Sequence, residues 1–354
     1  MQLAGQNQLL LGVIEGFYGR AWSHATRLAY ADYLQHLGLN SYIYSPKSDA
    51  FLRKRWQERW PEQTRADIEA LALACSARGI NFGVGLSPFA LYESYGREQQ
   101  QVLKAKVEYL AELDIPLFAI LFDDMPGAVD ALAQRQAQIV ADVCEWAPHS
   151  RILVCPTYYS FDPVLETYFG AMPQRYWSDL GRYLPEAVDI FWTGNRVCSE
   201  SIATDDIQQI TRQLARKVLL WDNYPVNDGA QRSNFLYCSE LAARDHELSE
   251  HITGHFCNPM NQGQLSLMAL LGLSSLYEQS APGSDWLQRL YGPEVYEQLL
   301  VNKHDFEVLG LTGMGKARCH ELANVYGSFS GQAAAEVADW LQGKYRFDPD
   351  CLTG

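Results

Sequence analysis

Eight short apolar runs, spaced at the length of one strand-helix unit and ending in polar residues, predict a (β/α)8 TIM barrel followed by a small α-helical C-terminal region. The run centres lie about 30 to 41 residues apart, the length of a βα unit. The first run is Leu9–Ile14, followed by a segment of helical periodicity at Thr26–Leu37. Asn40–Tyr44 precedes a helix at Thr64–Arg78, and Asn81–Leu86 precedes one at Glu98–Leu113. Pro116–Phe122 leads into Asp130–Trp146, and Ile152–Cys155 is the fifth run. Val188–Trp192 leads into Ile202–Arg216, and Val218–Trp221 and Gly254–Cys257 complete the set. The helical segments are rich in good helix formers. An open doubly wound sheet also alternates strands and helices, but it usually carries a Gly-rich phosphate loop after its first strand. Here that position reads Glu15-Gly16-Phe17-Tyr18-Gly19-Arg20, which is not G-x-G-x-x-G.

Breaker residues at 279–284 (QSAPGS) mark a boundary, and Asp285 to about Gly343 reads as helical. The expected division is a barrel at 1–280 and a helical appendage at 281–354. Dimerisation of the chain or coverage of the site are the roles open to the appendage.

The chain has 354 residues, and its 28 Lys+Arg against 42 Asp+Glu give a net charge of −14. That field repels phosphate backbones and anionic lipid, and no Lys/Arg run supplies a local exception, so neither nucleic acid nor membrane is an expected partner. It also disfavours polyanionic glycans. The eight cysteines are scattered singly without C-x-x-C spacing, which suits reduced thiols in a cytoplasmic protein. The N-terminus lacks the basic region and cleavage site of a signal peptide, and no apolar stretch is long enough to span a bilayer.

Barrel chemistry sits at the C-terminal ends of the strands. Those ends carry Glu15-Gly16, Tyr44-Ser45-Pro46-Lys47, Asp123-Asp124, Thr157-Tyr158-Tyr159, Trp192-Thr193, Trp221-Asp222-Asn223 with Asp228 beyond, and Asn258. Carboxylates, amides, phenols and indoles suit a sugar, whose apolar face meets aromatic rings and whose hydroxyls meet polar groups. Of the eight histidines only His255 falls in a strand, so a zinc site is not expected and His255 reads as a core residue. Lys47 admits a Schiff-base reading, which leaves the acids and aromatics unexplained.

Asp123 and Asp124 follow a fully apolar strand, and mutual repulsion should raise one pKa towards the working range of a general acid. Successive strand residues face opposite ways, so both reach one ligand only where the strand turns, and Met125-Pro126-Gly127 supplies a turn. The plainer alternative is that one Asp caps the next helix.

Taken together, GVIEGFYGRAW (12–22), YIYSPKSD (42–49), LFDDMPG (121–127), CPTYYS (155–160), FWTGNRV (191–197), LLWDNYPVND (219–228) and NPMNQ (258–262) resemble the family 84 glycoside hydrolases, which are retaining exo-β-N-acetylglucosaminidases of the protein O-GlcNAcase type. The resemblance runs from about residue 9 to 280. It implies hydrolysis of terminal β-linked GlcNAc on a glycoconjugate or glycoprotein, without metal or cofactor. In that chemistry the substrate's own acetamido oxygen attacks the anomeric carbon to form an oxazoline, an exception to the two-carboxylate nucleophile scheme. By this resemblance Asp123 orients the acetamido N–H, and Asp124 protonates the leaving oxygen and then activates water. Tyr159 binds the acetamido oxygen, with Tyr158 as its substitute if the register slips by one. Trp192, Tyr159 and Trp221 wall the methyl pocket. Lys47, Asn223, Asp228, Asn258 and the Gly16 backbone bind sugar hydroxyls. Trp192 and Trp221 could equally fill the barrel core. Asp222 reads as a loop brace, Tyr18 and Gly19 as the tight exit from the first strand, and Asn258 before Pro259 as a turn.

Overall fold

The computed structural model describes residues 8–279, 283–345 and 347–353. Its eight parallel strands close into a barrel in chain order. They are β1 (Leu10–Ile14), β2 (Ser41–Tyr44), β3 (Asn81–Leu86), β4 (Leu117–Leu121), β5 (Arg151–Cys155), β6 (Asp189–Trp192), β7 (Val218–Asp222) and β8 (Ile252–Cys257). β8 returns to β1 with Gly254 opposite Leu10. Every expected strand is present, with bounds within two residues of the sequence reading. The strands are buried almost throughout because helices cover the outer face and side chains fill the inner one, so they read as apolar runs without alternation.

Helices α1 (His24–His36), α2 (Glu62–Ser76), α3 (Arg97–Ala111) and α4 (Leu132–Trp146) follow the first four strands. After β5 come two short helices that the sequence reading did not place, α5 (Val164–Phe169) and α6 (Tyr176–Tyr183). Gly170, at φ 92°, ends the first of them, leaving each too short for a clear periodic signal. α7 (Thr204–Leu214) follows β6, and α8 (Leu267–Leu276) follows β8. The β7–β8 connection instead forms an irregular loop with short 3-10 turns at Arg232–Asn234 and His246–Glu250. α8 is buried on nearly every side, which explains its continuous apolar sequence. Of the expected boundary at 279–284, residues 280–282 lie outside the described residues, as do residues 1–7 of the N-terminal segment.

At the end of β1, Glu15 is fully buried and faces α1, not the barrel mouth. Arg27 grips it through two nitrogens at 2.9–3.1 Å, and the Tyr42 hydroxyl donates to it. This buried ion pair is fully hydrogen-bonded, the condition under which such pairs are tolerated.

Beyond the barrel lie α9 (Asp285–Tyr291), α10 (Pro293–His304), a π-helical turn at Asp305–Leu309, α11 (Gly310–Gly327) and α12 (Gln332–Leu341). These helices hold the loops after β7 and β8. Glu307 accepts from the Cys238 N–H at 2.6 Å and the Ser239 hydroxyl at 2.7 Å, and the Trp340 indole donates to the Ser233 carbonyl at 3.1 Å. On α12, Glu336 accepts from the backbone N–H groups of Gln264 and Leu265, each at 3.0 Å.

Burial pushes the Glu336 carboxyl up to about 7 despite those donors and the Gln332 amide. Its pKa in the fold exceeds the ordinary 4.5, so the folded chain retains a proton that the unfolded chain has released. The stability it contributes is therefore complete below pH 4.5 and is lost as pH rises towards 7. Glu336→Gln keeps an amide oxygen for the N–H donors and removes the titration. Relative to the parent it should gain on the order of 3 kcal/mol between pH 4.5 and 8, read from urea unfolding at both values. A difference independent of pH would show that Glu336 titrates normally.

Candidate active site

At the end of β4 the backbone turns on Asp124 itself, which adopts the left-handed conformation at φ 58°. Asp tolerates this region better than most residues, and backbone strain of this kind is typical of functional sites. The turn comes one residue earlier than the expected Met125-Pro126-Gly127 and resolves the alternation problem, because the pair no longer follows the strand's two-residue period. Neither Asp caps a helix: α4 starts at Leu132, and its N-cap Ala131 makes no side-chain bond.

Lys47, from the loop after β2, is buried with its ammonium bonded to Asp123 Oδ2 and 4.0 Å from Asp124 Oδ2. Burial favours the neutral amine, but the two carboxylates outweigh it and hold the Lys47 pKa above its ordinary value. That opposes the neutral nucleophile a Schiff base requires. For Asp124 the balance goes the other way: burial raises its pKa and outweighs the Lys47 charge, with Asp123 adding to the rise. Asp124 Oδ2 accepts from the Tyr18 hydroxyl at 2.5 Å. Asp123 Oδ1 and Asp124 Oδ1 are buried without a hydrogen-bond partner among the described residues. Such oxygens are costly in a fold and are common where a ligand group completes them.

Tyr18 links two acids. Its hydroxyl holds Asp124, and its backbone N–H donates to Asp228 Oδ2 at 2.6 Å. Burial pushes the Asp228 carboxyl up to about 6. The sequence reading assigned Tyr18 only to the exit from β1. Its position two residues past Gly16, beside the strand end, was the available signal.

The third group is a chain of amides. Asn258 Oδ1 accepts from the Gly16 N–H at 3.2 Å, and Asn258 Nδ2 donates to Asn223 Oδ1 at 2.9 Å. The same Asn223 oxygen accepts from the Trp221 indole at 3.0 Å, and Asn223 Nδ2 donates to the Val197 carbonyl at 2.8 Å. Asn258 thus lines the cavity and ties Gly16 to Asn223. Residue 16 must be glycine because a Cβ there would lie 2.1 Å from the Trp221 ring, which the backbone approaches closely. Beneath this network Asp222 is gripped by Arg244 at 2.7 and 2.8 Å and lies 3.0 Å from His255 Nε2, while His255 Nδ1 lies 2.9 Å from the Tyr277 hydroxyl. Burial alone would raise the Asp222 pKa, but Arg244 and His255 pull it down to about 2. Asp222 is the brace the sequence suggested, and His255 is a satisfied core residue.

Gly16, Tyr18, Asp124, Tyr159, Trp221, Asn223, Asp228 and Asn258 line one cavity at the barrel mouth. Asp123 and Lys47 adjoin it through Asp124. Tyr159 faces the cavity, whereas Tyr158 points away and donates to the Gly170 carbonyl at 2.7 Å. Trp192 is a correction: it is fully buried, packed edge-on against Phe161 and Trp177, and does not join the lining. As the last residue of β6 it packs against α6, through Trp177, and the segment after β5, through Phe161, whereas its neighbour Phe191 meets Trp221 and Phe256. Thr193, named at the end of β6 without a role, lines the cavity, as do Cys155, Val197 and Cys198, which carry no charge or ring to mark them. Cys351 and Thr353, far along the chain, line it as well. Among the described residues no three His, Cys, Asp or Glu side chains form a metal-binding group.

A model of the beta-N-acetylglucosaminidase family matches residues 11–289. The protein O-GlcNAcases of Rattus norvegicus and Mus musculus are each 27% identical over 290 residues, covering 79% of this chain. The chain spans 31% of the length of these relatives. A solved O-GlcNAc hydrolase from Thermobaculum terrenum, studied as a point mutant, superposes with a TM-score of 0.75 at 26% identity, covering 96% of this chain and 81% of its own. The family match covers all eight strands but for Leu10, and every cavity residue except Cys351 and Thr353, and the barrel places those residues at one mouth. The chain is therefore a glycoside hydrolase of the family 84 β-N-acetylglucosaminidases.

Proposed function

We propose that the chain is a retaining exo-β-N-acetylglucosaminidase that removes terminal β-linked GlcNAc by substrate-assisted catalysis. The observation that carries this reading is the pair of adjacent carboxylates in unlike surroundings, each with one buried oxygen lacking a partner among the described residues. Asp123, ion-paired with Lys47, offers Oδ1 to the acetamido N–H and polarises the acetamido oxygen. That oxygen attacks the anomeric carbon as its bond to the leaving oxygen breaks. Asp124, whose raised pKa favours the protonated form, delivers its proton to the leaving oxygen. It then takes a proton from the water that opens the oxazoline, and net retention results. Tyr159 aligns the acetamido oxygen, and Trp221 walls the pocket. Asp228 with the Gly16–Asn258–Asn223 network binds sugar hydroxyls. One carboxylate reading the far end of the sugar favours a chain terminus over an internal residue.

The division into a catalytic unit at 1–280 and a supporting helical unit at 281–354 belongs to the same proposal, with the helices bracing the loops that carry Asn223, Asp228 and Asn258. No helix among the described residues is long and apolar enough to cross a membrane. We place the enzyme in the cytoplasm, where its eight cysteines, none of them in a disulfide, would remain reduced.

The substrate claim is tested with an aryl β-GlcNAc, a GlcNAc-modified Ser/Thr peptide and hyaluronan. Hydrolysis of the first two with intact hyaluronan is expected. Depolymerised hyaluronan would replace this reading with an endo-acting one, and binding of GlcNAc without turnover of any substrate would make the chain a carbohydrate-binding protein.

A further inference from the structure

Two residues of the cavity lining come from outside the barrel, and both lie on the segment Phe347–Thr353 after α12. The approach to this segment is fixed: Lys344 pairs with Asp339 at 2.6 Å, and the Arg20 guanidinium lies over the Tyr345 ring at 5.0 Å. The segment then folds on Asp348, whose side chain accepts from the Asp350 N–H at 3.0 Å and whose carbonyl accepts from the Cys351 N–H at 2.9 Å. That turn aims Asp350 at the cations of the loop after β2. Its carboxylate lies 3.6 Å from Arg53 Nη1 and bonds the Lys54 ammonium. Arg53 is itself buried and lies 5.4 Å over the ring of Tyr18, the residue that holds Asp124. Past this anchor, Cys351 Sγ lies 3.8 Å from Asp228 Oδ1, and Thr353 lines the same cavity as Tyr159.

The segment therefore touches Asp228 and shares the cavity wall with Tyr159, the groups proposed above for the sugar's hydroxyls and acetamido oxygen. With it in place the cavity retains about 40 Å³, well below the roughly 300 to 1,000 Å³ typical of small-molecule sites. We propose that the mouth of this site, at Arg53 and Lys54, is a docking surface for an acidic peptide segment, and that residues 347–353 of the chain are its resident occupant, competing with substrate. The proposal rests on the sugar-pocket reading for the identity of the competing ligand, while the docking stands on the contacts alone. The anchoring carboxylate is 45% exposed, so its pairing is weak and screened by salt. The segment thus behaves as a displaceable strap that lowers apparent substrate affinity by the fraction of time it is docked.

The test compares the parent with a chain ending at Tyr345 and with the 354-residue chain carrying Asp350→Lys, each checked for cooperative unfolding. If the strap is docked for most of the time, both variants should lower KM for an aryl β-GlcNAc roughly 3- to 10-fold with kcat unchanged. Added salt should lower KM in the parent alone. A synthetic peptide of residues 347–354 should bind the shortened chain in a calorimetric titration, and the same peptide carrying Asp350→Lys should not. Binding should also vanish in the shortened chain carrying Arg53→Glu and Lys54→Glu. Unchanged KM, a fall in kcat on shortening, or absence of peptide binding would overturn the proposal. Peptide binding to a chain that hydrolyses no GlcNAc substrate would leave the docking intact and refute the catalytic reading instead.

Discussion

Asp124→Asn should lose roughly 10²- to 10⁴-fold in kcat/KM on a GlcNAc with a poor, alkoxide-like leaving group, and far less on one with an activated aryl leaving group. The poor leaving group cannot depart without a proton, and the proposed donor is Asp124, whose carboxyl is raised by burial against the opposing Lys47 charge. An aryl oxide leaves unaided, so formation of the oxazoline survives the loss of the acid. The asparagine still accepts from Tyr18, which keeps Asp228 and the β1 exit in place and limits the change to proton transfer. The pH profile supplies the sign. A general acid must be protonated, so the parent's rate with a poor leaving group falls as pH climbs through the raised Asp124 pKa, and the variant loses that basic limb. Equal loss with both leaving groups would remove Asp124 from the acid role.

Asp123→Asn should instead depress both substrates alike, by roughly 10²- to 10³-fold, the scale of a lost electrostatic contact to the reacting group. Its proposed task is to hold the acetamido N–H as positive charge develops on the oxazoline, a need that does not depend on the leaving group. The substitution also strips Lys47 of its direct partner, leaving a buried ammonium 4.0 Å from Asp124 as its nearest remaining counter-ion. That stronger pairing should draw the Asp124 pKa down. The basic limb with a poor leaving group should therefore move to lower pH in Asp123→Asn. An unmoved limb would mean that the three charges are not coupled as their spacing indicates.

The barrel was legible because both faces of each strand are covered, which turns eight strands into eight apolar runs with polar ends. The cavity residues drawn from those ends were legible for the same reason, and Asp124, Tyr159, Trp221, Asn223, Asp228 and Asn258 do meet at one mouth. Trp192 misled because an aromatic residue at a strand end can point along either branch of the pleat, and here it points into a cluster with Phe161 and Trp177. Tyr18 was undervalued because its role depends on a hydrogen bond to a residue 106 positions away. Cys351 and Thr353 were illegible for a related reason: only the path taken after α12 brings them to the mouth. Sequence periodicity carries no signal for such a path. α5 and α6 were missed because neither is long enough to display a face.

In the proposed mechanism the substrate's acetamido group, aligned by Asp123, is the nucleophile, and Asp124 serves both half-reactions. Proton NMR of the first GlcNAc released from an aryl β-GlcNAc tests it directly, before mutarotation mixes the anomers. The β-anomer is expected first and the α-anomer only later, by equilibration in water. Initial release of the α-anomer would mean direct attack by water with inversion, and would contradict the mechanism.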